Sequence, residues 1–74
     1  MSKFYEGIAE IFEIGVEDVN PELDLHSHTW DSLAIILTIA LIDDCYNLVV
    51  AGEKLSSCKT LADIEQQIEA SKRG

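Results

Sequence analysis

Residues 30–46 read WDSLAIILTIALIDDCY. The apolar run from Leu33 to Ile42 is interrupted only by Thr38 and is bracketed by Asp31 on one side and by Asp43 and Asp44 on the other. It falls far short of the roughly 20 residues that cross a bilayer. It predicts a helix from 31 to about 46, about 24 Å long at 1.5 Å per residue. Asp31 is a good N-cap, and its charge suits the positive end of the helix dipole. Two apolar stripes run along this helix. One holds Ile35, Ile39, Ile42 and Tyr46; the other holds Leu33, Ile36, Leu37, Ala40 and Leu41. A small domain cannot bury both, so one face is a candidate docking surface.

Upstream, Phe4, Ile8, Ile11 and Phe12 fall close to one helical face over residues 2–14, with Lys3, Glu6, Glu10 and Glu13 filling the other. Ser2 is placed to cap that helix and Gly15 to end it. From 16 to 30 the periodicity is lost and Asn20-Pro21 signals a turn. A connection of about fifteen residues is long for a small domain, and such loops are more often functional than idle. Val19, Leu23 and Leu25 are expected to pin it to the core. Downstream come a short extended stretch at 48–50, one helical turn within 52–58, and a last helix. That helix starts at Ser57 or Thr60 and runs to about Ala70 with Leu61, Ile64 and Ile68 inward; residues 70–74 are expected to fray. The expected architecture is all-α: three main helices plus one short one, with a long loop between the first two.

The 74 residues leave room for one domain, spanning 1–74. With 47% apolar and 26% charged residues, the composition is that of a soluble globular protein. Five basic against 14 acidic residues give a net charge of −9. Such a field repels nucleic acid and anionic lipid, and it steers the chain toward partners with basic patches. No targeting segment is visible at the N-terminus, and Cys45 and Cys58 form neither a disulfide framework nor a metal-ligand spacing. The expected setting is cytoplasmic, with no membrane insertion.

Three constellations invite a chemical reading. His26 and His28 could share a metal, but no third ligand has convincing spacing. Asp18, Asn20, Glu22 and Asp24 mimic the odd positions of a calcium loop, yet Leu23 replaces its glycine and Thr29 its bidentate glutamate. No metal site is expected. Ser32 beside His28 lacks the oriented base and oxyanion hole of a serine hydrolase, and the chain is too small to enclose a substrate. No catalytic residue is assigned. From the residues alone, Asp31 caps the helix and Ser32 is an ordinary first-turn serine, in a place that also suits a covalently attached phosphate because leading backbone amides and the dipole favour an anion there.

Trp30-Asp31-Ser32-Leu33 followed by an apolar helix resembles the attachment motif of acyl carrier proteins. The resemblance extends over nearly the whole chain: the opening helix, Gly15-Val16 followed by acids, Asp24-Leu25, the Asp43-Asp44-Cys45-Tyr46 segment, and the Thr60-Leu61-Ala62-Asp63-Ile64 helix start. It implies that Ser32 receives a 4′-phosphopantetheine arm from a phosphopantetheinyl transferase, with Asp31 supporting the transfer. It also implies that the chain catalyses nothing itself. As a monomer it would present acyl groups, held as thioesters, to acyl-transferring, condensing and modifying enzymes. In the same comparison Ile35, Ile39, Ile42 and Tyr46 look inward, while Leu33, Ile36, Leu37 and Ala40 face partners with Asp43 and Asp44 at the rim.

This sequence departs from the family pattern at Thr29, where glycine is frequent, and at Ala34 and Leu37, which are commonly acidic in fatty-acid carriers. These departures point to a dedicated partner set in a specialised lipid, polyketide or acyl-modification pathway. The aspartate before Ser32 argues against a peptidyl carrier, and an aminoacyl carrier stays open. From another class, an unmodified acidic adaptor would use the same surface for plain protein binding.

Overall fold

The computed structural model describes residues 3–73, so the cap expected at Ser2 lies outside the described residues. Among these residues there are four helices and no strands: α1 (Lys3–Phe12), α2 (Ser32–Tyr46), the short α3 (Gly52–Ser56) and α4 (Leu61–Arg73). The all-α arrangement of three main helices and a short one agrees with expectation. Phe4, Ile8, Ala9 and Phe12 of α1 meet Leu25, Ile42, Val50, Leu55, Leu61, Ile64 and Ile68 in one apolar core.

α1 stops earlier than expected. The left-handed residue that closes it is Glu13 (φ 57°), whereas Gly15 has an ordinary φ of −71°. The Glu13 amide donates to the Glu10 carbonyl and the Ile14 amide to the Ala9 carbonyl, over 3.3 and 3.0 Å. Satisfying two terminal carbonyls and folding the half-buried Ile14 back onto the core offsets the roughly 1–2 kcal/mol that a side chain costs in this conformation.

The long connection is anchored as expected by Val19 and Leu25, both buried, and by half-buried Leu23. Short 3₁₀ turns at Val16–Asp18 and Leu25–Ser27 give it local order. It is also stitched to the start of α4. The Leu25 amide donates to the Lys59 carbonyl, Leu61 to Leu23 and Ala62 to Pro21, over 2.9–3.1 Å. These backbone bonds hold the segment leading to α2 against a rigid helix end. Trp30 adds another tether: its indole N–H donates to the Leu55 carbonyl at 3.2 Å, and its ring packs on Phe12.

The inward face of α2 is borne out at Ile42, with Ile35 and Ile39 packed against the core, and needs correction at Tyr46, Ala34 and Thr38. Its buried residues are Ala34, Thr38 and Ile42, while Ile35 and Ile39 are only half-buried and Tyr46 is 36% exposed. The reason lies in the two helices that flank it. Leu41 packs over Gly7 of α1 so closely that a Cβ there would lie 2.4 Å from Leu41 Cδ1; on the other side Ile35 and Ile39 abut Gly52 of α3. The buried arc therefore runs between the two apolar stripes, along small residues that let the neighbours close in. Thr38 is 0% exposed, and its hydroxyl donates to the Ala34 carbonyl at 2.8 Å, so it sits in the core without an unmet polar atom. Tyr46 forms a rim: its ring meets Phe4 edge-on and carries the Lys72 ammonium 4.9 Å above it.

α4 continues to Arg73, beyond the expected end near Ala70. At its start the Asp63 carboxylate accepts from the Lys59 and Thr60 amides at 3.0 and 3.2 Å, which holds its pKa below the usual carboxylate range. A depressed folded pKa means that this stabilisation is complete above the unfolded value near 3.9 and is lost as pH falls through the folded one. Asp63→Asn is therefore expected to lower Tm at neutral pH. The gap from the parent should close in acid, as thermal unfolding followed by circular dichroism at several pH values will show.

Candidate functional site

The start of α2 is fixed from the inside out. Asp31 has extended backbone and its Oδ1 accepts from the Ala34 amide at 3.0 Å, while its carbonyl accepts from the Ile35 amide at 2.9 Å. Ser32 follows as the first helical residue and is exposed. Its hydroxyl has no hydrogen-bond partner among the described residues. The hydroxyls of Ser27, Ser56 and Ser57 are all engaged by nearby carbonyls, those of Asp24, Glu53 and Lys54. Ser32 thus offers a free oxygen beside helix amides that have no intrahelical acceptor. A phosphodiester fits there: it meets a positive dipole end and open solvent rather than packed side chains.

From Ser32 an apolar face runs down α2. Leu33 is 63% exposed, Ile36 60% and Leu37 44%, and Ala40, Asp43 and Asp44 are exposed beyond them. Ala34, in contrast, is buried, so its lack of charge adds nothing to this surface. Asp44 also faces α1: its Oδ2 lies 3.1 Å from Lys3 Nζ in an exposed ion pair, which raises the Lys3 pKa. A groove of about 220 Å³ opens between α1 and the start of α2, lined by Ile11, Glu13, Thr29, Asp31, Leu33, Ala34 and Leu37. The spacing puts Ile11 on α1's packing face and Glu13 on its polar face; only the antiparallel approach of α1 and α2 brings them to the groove at the start of α2. Because Leu37 is half in solvent at that groove, Leu37→Glu is expected to change stability by no more than about 1 kcal/mol, measured by urea unfolding.

The other constellations have structural roles. Asp24 caps the second 3₁₀ turn by accepting from the His26 amide, and Asn20 accepts from the Glu22 amide. His26 Nε2 contacts the Cys58 carbonyl and the His28 ring lies against Phe12. Among the described residues no group of three or more His, Cys, Asp or Glu is placed to hold a metal ion. Cys58 is buried, which pushes its thiol pKa up and keeps it unreactive; Cys45 is half-buried. No helix among the described residues is long and apolar enough to cross a membrane.

Comparison with known proteins supplies one match. A family model described as "Phosphopantetheine attachment site" covers residues 2–68 of the chain. No curated protein and no solved structure matches it.

Proposed function

The chain belongs to the phosphopantetheine-attachment family, and from that premise we propose that Ser32 is the residue that carries its 4′-phosphopantetheine arm. Members of this family bind the group covalently on a serine, and they work with a phosphopantetheinyl transferase and acyl-processing enzymes. When attached, the arm supplies a terminal thiol on which an acyl group travels as a thioester. What supports Ser32 is its exposed, unengaged hydroxyl in the first turn of α2, beside the exposed apolar face of that helix.

The roles of the chain's own residues follow from their positions. Asp31 holds the first turn in shape through the Ala34 amide and leaves its other oxygen toward the modifying enzyme, where it supports the transfer. Leu33, Ile36, Leu37 and Ala40 form the apolar contact with partners, and Asp43 and Asp44 lie at its edge. The chain acts as one monomeric, non-catalytic carrier domain over residues 1–74. The uncharged surface from Leu33 to Ala40 fits a dedicated set of acyl-transferring, condensing or modifying enzymes in a specialised lipid, polyketide or acyl-modification pathway. Its setting is the cytoplasm.

The test is incubation with coenzyme A, magnesium and a promiscuous phosphopantetheinyl transferase, followed by intact-mass measurement and peptide mapping. One arm's mass on the peptide containing Ser32 is the expected result. No mass gain, under conditions that modify a control carrier, would favour an unmodified adaptor instead.

A further inference from the structure

We propose that the docking surface extends across α1, with Glu6, Glu10 and Glu13 serving as an acidic rim alongside the uncharged stretch of α2; this rests on Ser32 being the attachment residue. α2 carries no charge from Leu33 through Ile42. Between Asp31 at one end and Asp43 and Asp44 at the other, carboxylates along this stretch can come only from a neighbouring element. α1 lies antiparallel beside α2, and the two grooves between them are where its acids stand. Glu13 shares the groove of Ile11, Thr29, Asp31, Leu33 and Leu37 at the start of α2, where Asp31 and Leu33 are the sequence neighbours of Ser32. Glu6 and Glu10 line the second groove, of about 280 Å³, together with Leu41 and Asp44 of α2. All three glutamates are exposed.

The base on this side, Lys3, lies at the far end from Ser32 and is already joined to Asp44. The surface beside the attachment serine is thus an apolar ridge on one helix with a row of carboxylates along the next. The partner is the phosphopantetheinyl transferase, since it must reach Ser32 at the end of α2 where the first groove opens. The matching surface on it is an apolar patch for Leu33 and Leu37, flanked by a row of lysines or arginines that faces α1 rather than α2. Charges at such a rim act mainly on encounter, so their effect falls with ionic strength.

The experiment measures kcat/KM for arm attachment by the promiscuous transferase, read by intact mass, at low and high salt. Glu10→Lys and Glu13→Lys are compared with Glu53→Lys on α3, which changes the net charge equally; circular dichroism and the milder Glu10→Gln and Glu13→Gln variants guard against misfolding. The α1 variants are expected to lose about tenfold at low salt, with the loss shrinking as salt rises, while Glu53→Lys loses little. If the α1 variants lose no more than Glu53→Lys while Ser32 still takes the arm, the extended surface is wrong and the attachment residue stands. A parent chain that takes no arm overturns both.

Discussion

Ser32→Ala is expected to abolish arm attachment completely while leaving the fold as it is. The two halves of that expectation have separate causes. Chemically, the substitution deletes the one oxygen to which the phosphate would bond, and the hydroxyls of Ser27, Ser56 and Ser57 are committed to carbonyls. Structurally, the side chain is exposed and makes no hydrogen bond among the described residues, and the helix start is held by Asp31 instead. Alanine is a good helix former, so unfolding free energy should change by no more than about 0.5 kcal/mol. Intact mass after transferase treatment and urea unfolding of the same sample check both halves. An arm found on the variant would move the attachment point away from α2.

The second large effect is in the core. Ile42 is 0% exposed and sits where α2 meets the rest of the bundle. Ile42→Ala removes that packing and leaves a cavity, a loss of about 2–5 kcal/mol. A chain of this length has only roughly 4–11 kcal/mol of net stability at the usual amount per residue. The variant should therefore unfold at a far lower urea concentration, or be partly unfolded without urea. Ile42→Val, which deletes a single methyl group, should lose about 0.5–1.5 kcal/mol. If Ile42→Ala lost no more than Leu37→Glu, the inner and outer faces of α2 would be exchanged.

Periodicity alone was enough to place the helices, the buried side of α1 and the inward residues of α4, because each shows a single apolar stripe. It could not resolve α2, whose apolar residues surround the helix. There the buried arc, Ala34, Thr38 and Ile42, lies between the side that packs Leu41 over Gly7 and the side that packs Ile35 and Ile39 against Gly52. Helix ends were equally non-local. Glycine at 15 looked like the stop for α1, but a contact between Ile14 and the core selected Glu13 instead. Asp31 as the cap and Ser32 as the first helical residue could be read directly from the sequence pattern, whereas a role for Ser32 needed the family resemblance. The proximity of Ile11 and Glu13 to the start of α2 could not be read in this way, since it depends on how two helices far apart in sequence lie together. The bonds stitching residues 21–25 to the start of α4 run through backbone atoms and leave no side-chain signature.

Thr38 has a mechanical consequence. Because its hydroxyl is satisfied inside its own helix, the deepest part of α2 presents its neighbours with a greasy bearing rather than a keyed joint. Small slips or tilts of α2 against that bed need break no polar bond there, and shape alone sets its seating. A helix mounted in this way can yield to whatever presses on its outer side and then settle back, which suits a surface that must accept one visitor after another.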